Sequence, residues 1–114
     1  MDDMAVSVNK EELYMGEYGD VLQLTITGDE AVNLSTAQAV KMFQKSPSNV
    51  ESEISNITAV GTSVLSHTII SSEFNEQGMW KIQGYAQMPA TGSTPIIYKY
   101  FTPVYICVKD NLGS

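Results

Sequence analysis

The side chains that could perform chemistry in this chain are few. His67 is its single histidine and Cys107 its single cysteine. A two-histidine metal site is therefore excluded, and one histidine with one cysteine falls short of the ligand set of a structural zinc centre. His67 sits in the middle of the β-branched, apolar run Val64 to Ile70 and reads as a structural residue of a strand. Cys107 lies in the apolar run Val104 to Val108 and reads as a small buried hydrophobe. Asp20, Asp29, Glu30, Glu51, Glu53, Glu73 and Glu76 could be paired as acid and base, but they fall mostly in or near turns, where a solvated carboxylate is expected. Asp29 with Glu30 is the candidate for calcium, without a full acidic loop motif around it. No Gly-Lys-Ser/Thr loop is present to cradle a phosphate. No cofactor and no catalytic set are expected. The tyrosines are the remaining resource: Tyr98, Tyr100 and Tyr105 crowd the last third with Phe101. They fit either a contact surface for sugar or protein or cross-strand aromatic pairs that stabilise a sheet.

Charge narrows the partners. Six Lys+Arg, all lysines, face thirteen Asp+Glu for a net charge of −7, and the lysines are scattered along the chain. Phosphate recognition needs clustered cations, so neither nucleic acid nor an anionic membrane surface is expected as a direct partner. No apolar stretch approaches the ~18 residues of a membrane-spanning helix. The acidic start Met-Asp-Asp-Met lacks the basic and apolar regions of a signal peptide. With a lone cysteine there is no internal disulfide, and folding in a cytoplasm is the expectation.

The elements that would position these residues are strands. Gly78 to Met88 alternates with period two: Trp80, Ile82, Gly84 and Ala86 on one face, Lys81, Gln83, Tyr85 and Gln87 on the other. The chain's only tryptophan marks the first face as core, and the small Gly84 and Ala86 leave room for large side chains from a facing sheet. Val21 to Thr27 alternates likewise, with Leu22, Leu24 and Ile26 inward. Ala37 to Lys45 reads as a strand ended by Ser46-Pro47-Ser48-Asn49, with a helix as the competing reading. Ser35 could cap a helical turn before it. Glu51 to Thr58 alternates weakly before a turn at Ala59-Val60-Gly61. Val64 to Ile70, Ile96 to Phe101 and Val104 to Lys109 are further strands, the last two broken at Pro103. Ser71 to Gln77 reads as a polar loop and Pro89 to Pro95 as an exposed one. Residues 1–114 form one domain whose first ten residues or so are loose, with an edge segment from about Val6. Seven to eight short strands at roughly ten-residue spacing predict an all-β, immunoglobulin-like antiparallel β-sandwich.

Without a catalytic set, function is expected in contact surfaces. The outward row Lys81, Gln83, Tyr85 and Gln87 supplies one aromatic anchor among hydrogen-bonding groups. Thr91 and Ser93 of the exposed loop complete the expected interface.

Several stretches stand in the order found in one known family. They are Gly19-Asp20-x-Leu22-x-Leu24-x-Ile26, Val32-x-Leu34-Ser35-x-Ala37, Lys45-Ser46-Pro47, Gly78-x-Trp80-x-Ile82-x-Gly84 and Phe101-x-Pro103-x-x-x-x-Val108. Together they resemble the N-terminal domain of phage baseplate upper proteins and related small virion β-sandwiches. The resemblance implies a non-enzymatic structural subunit of a phage particle, in the tail, baseplate or neck, made in the host cytoplasm and residing in the virion. It would join other virion proteins in a symmetric assembly through sheet edges and loops. The alternative is a carbohydrate- or receptor-binding module using the outward tyrosines.

Overall fold

A computed structural model describes residues 6–28, 32–70 and 73–110. Alternation translates directly into strands wherever one face is covered. Leu22, Leu24 and Ile26 are buried along β3 (Val21–Ile26), and Trp80, Ile82, Gly84 and Ala86 along β8 (Gly78–Met88). The remaining segments are β1 (Val6–Val8), β2 (Glu12–Tyr14), β4 (Ala39–Lys45), β5 (Glu51–Ile54), β6 (Ile57–Val60), β7 (Val64–Thr68), β9 (Ile97–Tyr100) and β10 (Val104–Lys109). They pair into two sheets packed face to face. One is four-stranded in the order β1-β3-β7-β6; the other is six-stranded in the order β2-β10-β8-β4-β5, with β9 also paired to β8. The β-sandwich expected from the strand pattern is therefore present.

Ten segments exceed the expected seven to eight because the first run splits into β1 and β2 and the run from Glu51 splits into β5 and β6; the break at Pro103 was expected. The first run starts as β1 against β3, then crosses to the other sheet and continues as β2, parallel to β10. The last run pairs with β8 twice, as β9 beside Tyr85 to Met88 and as β10 beside Gly78 to Ile82. Between them Phe101 turns fully into the core, and Pro103 lies in the gap where no ladder bond is required. The second difference is the split of the run from Glu51 into β5 and β6. Asn56 adopts a left-handed backbone (φ 61) at the crossing between sheets, so Ala59 and Val60 belong to a strand and the turn starts at Gly61. Ala37 to Lys45 is resolved as strand, from Ala39.

The edge segment expected from about Val6 is present as β1, paired to β3. Val6 and Leu13 are buried, and the Asn9 side chain clamps β3 by accepting from Gln23 N–H (2.8 Å) and donating to Val21 C=O (2.9 Å). Three-residue strands carry too little alternation to announce themselves, yet each places one large side chain in the core. The cap of the 3₁₀ turn Leu34–Thr36 is Asn33, not Ser35: its Oδ1 accepts from Ser35 N–H at 3.1 Å.

The facing sheet comes close to β8 at Gly84. A Cβ there would lie 2.9 Å from Leu65 Cδ1, 3.3 Å from Phe101 Cδ2 and 3.5 Å from Leu24 Cδ1. The missing side chain is what lets leucines of the facing sheet reach β8, as the small residues predicted. No helix among the described residues is long and apolar enough to cross a membrane.

Candidate functional site: the outer face of the six-stranded sheet

Strand register arranges the outward residues of β8 into four cross-strand rows. Tyr105, Lys81, Lys45 and Glu51 form the first, and Gln83, Phe43 and Glu53 the second. Tyr100, Tyr85 and Lys41 form the third, and Tyr98, Gln87 and Ala39 the fourth. Lys81, Gln83, Tyr85 and Gln87 thus share the expected face, one in each row.

Their accessibility differs from the expectation. Tyr85 points outward yet is only 8% exposed. Its ring lies between Tyr100 (centroids 4.9 Å apart) and Phe43 (6.1 Å, edge-on), with Lys41 Nζ 6.0 Å from the ring centre. Burial, with Tyr98 and Tyr100 nearby, pushes its phenol above the ordinary tyrosine value. Tyr85 is therefore the floor of an aromatic ladder rather than an exposed anchor. Alternation indicates which face a residue is on, but not whether β9 folds back over it. The two glutamines are also engaged. Gln83 Nε2 donates to Phe101 C=O (2.9 Å), bridging the break between β9 and β10, and Gln87 Nε2 donates to Gln38 Oε1 (3.0 Å). Thr91 and Ser93 are exposed, but at the tip of the β8–β9 hairpin. The tip lies roughly 20 Å along the strand from Tyr85 at about 3.3 Å per residue. The six residues do not form one site.

The large apolar and aromatic side chains that reach solvent here are Tyr14, Met79, Tyr98, Tyr100 and Tyr105, each between 47% and 60% exposed. Met79 was readable from parity, since it precedes the buried Trp80; Tyr14 was not, because β2 is too short to show alternation. A groove of about 400 Å³ runs across β5, β4, β8 and the end of β9, lined by Phe43, Lys45, Glu53, Lys81, Gln83 and Tyr100 among others. Lys41–Glu53 (3.9 Å) and Lys45–Glu51 (4.0 Å) are long, exposed pairs along its β5 side, of a kind worth little in stability.

Cys107 corrects another expectation. In β10 it is Val104, Ile106 and Val108 that face the core, while Cys107 is half-buried on the outer face beside Met79 and Glu12. The run is apolar on both sides, so hydropathy alone cannot assign its parity.

His67 has a structural placement. It is buried, and its Nε2–H donates to both carboxylate oxygens of Glu73 (2.8 and 2.9 Å), one of which also accepts from Ile70 N–H. Glu73 and Phe74 make the expected polar loop a plug for one end of the core: Phe74 is buried edge-on against Trp80, ring centres 5.1 Å apart. Asp29 and Glu30 lie outside the described residues. Among the described residues no three His, Cys, Asp or Glu side chains gather where a metal ion could be held.

No protein-family model matches the chain, and no curated protein matches it in sequence. Among solved structures, a DUF4785 family protein from Legionella pneumophila subsp. pneumophila str. Philadelphia 1 is similar over 91% of this chain, with a TM-score of 0.55 and 16% identity. The chain spans 28% of that protein's length. At this identity the likeness is one of fold: a β-sandwich of this outline recurs as part of a larger chain.

Proposed function

We propose that this chain is a non-enzymatic assembly module, a structural subunit of a phage particle that joins its neighbours through the outer face of the six-stranded sheet. The observation that carries the reading is the exposure of Tyr14, Met79, Tyr98, Tyr100 and Tyr105 on one sheet face. Clustered tyrosines with a polar surround are the composition of protein contact surfaces. The strand orders β1-β3-β7-β6 and β2-β10-β8-β4-β5 support the immunoglobulin-like assignment. The resemblance to virion β-sandwiches supplies the particle, and other virion proteins are its partners.

The test is incorporation. Tyr14→Ser with Tyr105→Ser alters half-exposed rings outside the aromatic ladder and should leave melting nearly unchanged while removing the chain from gradient-purified particles. Normal incorporation of the double variant would move the interface off this face.

The groove favours one second reading. Tyr100 and Phe43 beside Glu53, Gln83 and Lys81 combine a stacking ring with hydrogen-bonding groups, the chemistry that holds a sugar. A glycan array separates the two: saturable binding that Tyr100→Ser abolishes favours the sugar site, and no binding favours assembly.

A further inference from the structure

The β8–β9 hairpin extends past the cover of the facing sheet. Ile96, Ile97, Tyr98 and Tyr100 are 40–60% exposed, and consecutive Ile97 and Tyr98 lie on opposite faces of the strand. Both faces are therefore open at this end. Among the described residues β9 pairs with β8 alone, so its other edge is unpaired.

Register identifies which backbone groups point to that edge. Phe101 N–H donates to Gly84 C=O (3.0 Å), which makes this opposed couple a hydrogen-bonded one. Alternation then directs Lys99 and Ile97 toward β8, and leaves the N–H and C=O of Tyr98 and Tyr100 facing outward. Such a row of donors and acceptors accepts another extended strand.

We propose that β9 is a pairing edge through which two copies of this chain join about a two-fold axis centred on Tyr98, continuing the six-stranded sheet across both. Charge favours a second copy. Between Glu76 and Asp110 the sequence holds no carboxylate, whereas the whole chain carries −7. The hairpin edge, whose one charged side chain is Lys99, thus brings no carboxylates of its own together when two such chains approach. Charge also fixes the register. Centring on Lys99 would set Lys99 directly opposite its copy, and like charges in that position are unfavourable. Centring on Tyr98 sets Tyr98 against Tyr98, Ile96 against Tyr100, and Lys99 against Ile97. The exposed parts of these side chains amount to on the order of 400 Å² per copy. The total falls below the ~1,200 Å² of stable interfaces, so the pair forms at high local concentration. Tyr98 and Tyr100 also belong to the sheet face proposed for assembly, but the pairing uses their backbone groups and stands without that reading.

Cross-linking of the full chain tests the proposal. In a Cys107→Ala background, Tyr98→Cys places two thiols in a hydrogen-bonded couple with Cα atoms about 5.5 Å apart, within disulfide range. It should form oxidised dimers at least tenfold faster than Ser93→Cys at the hairpin tip. With the native sequence, sedimentation mass should rise toward twice the chain mass as concentration increases, and Tyr98→Lys should abolish that rise with melting unchanged. Equal cross-linking rates at positions 98 and 93, or a mass that stays at one chain throughout, would overturn it and leave the edge to a strand from another protein.

Discussion

The two ends of β8 are finished in opposite ways. At the Gly78 end three described polar side chains near the core bond to Glu73 or Glu76 of the loop that caps it, while His67 Nδ1 is left buried without a partner. Trp80 Nε1–H donates to Glu76 C=O (2.9 Å), Ser48 Oγ–H to Glu76 Oε1 (2.9 Å), and His67 to Glu73. Phe74 tolerates a left-handed backbone (φ 50) to stack on Trp80. Gly78 (φ 128) lies so close to Pro47 that a Cβ would come within 2.7 Å of its ring. At the Met88 end the hairpin closes on backbone bonds between Thr91 and Thr94 (3.0 and 2.7 Å), and large apolar side chains remain exposed. The first end is built for stability. The second keeps apolar surface available, which a monomer gains nothing by doing.

The largest expected effect is at the sealed end. Trp80→Ala removes the ring on which Phe74 rests and should cost about 3–5 kcal/mol, as truncation of buried aromatics does. Chemical denaturation would measure it; a change under about 1 kcal/mol would show that the plug contributes little. Glu73→Ala should cost about 1–3 kcal/mol, because it leaves the buried His67 N–H without an acceptor. If Glu73→Ala unfolds at the native midpoint, the His67–Glu73 contact is incidental and the seal rests on the aromatics alone.

A smaller effect belongs to the aromatic ladder between the two ends. Tyr85 has a phenol whose folded value is raised by burial, with Tyr98 and Tyr100 adding to it. Its neutral form is the one the fold prefers. The contribution is therefore complete below the unfolded value near 10 and is lost as pH rises through the folded value. Tyr85→Phe should flatten the alkaline limb of the stability profile and leave the neutral region nearly unchanged. An alkaline limb identical in both proteins would assign the pH response to other groups.

The core was legible because one-sided burial writes itself as alternation. Leu22, Leu24, Ile26, Trp80 and Ile82 all face as their spacing requires. What alternation cannot encode is cover from a strand distant in sequence. Tyr85 looks like any outward residue until Tyr100 stacks on it, and Cys107 looks buried because both faces of its strand are apolar. The short β1 and β2, and the crossing at Asn56, are set by tertiary pairing rather than local pattern. The candidate surface was half legible: the face of β8 was readable, but the exposure on which the proposed contact rests depends on where β9 ends.

The smallest expected effect sharpens the contrast from the open end. Ile97→Ser with Tyr98→Ser removes two large apolar side chains, a change that in a core would cost several kcal/mol. Here both side chains are about half exposed, with 46% and 60% of their surface in water. The hydrogen-bonded couple between Ile97 and Met88 uses backbone groups that serine also supplies. Measured on dilute protein, where pairing between copies contributes nothing, the double variant should unfold within about 0.5 kcal/mol of the native chain. A loss comparable to that of Glu73→Ala would mean that the hairpin supports the core from outside. The two ends of β8 would then differ in chemistry but not in purpose, and the exposed residues of β9 would need no partner to explain them.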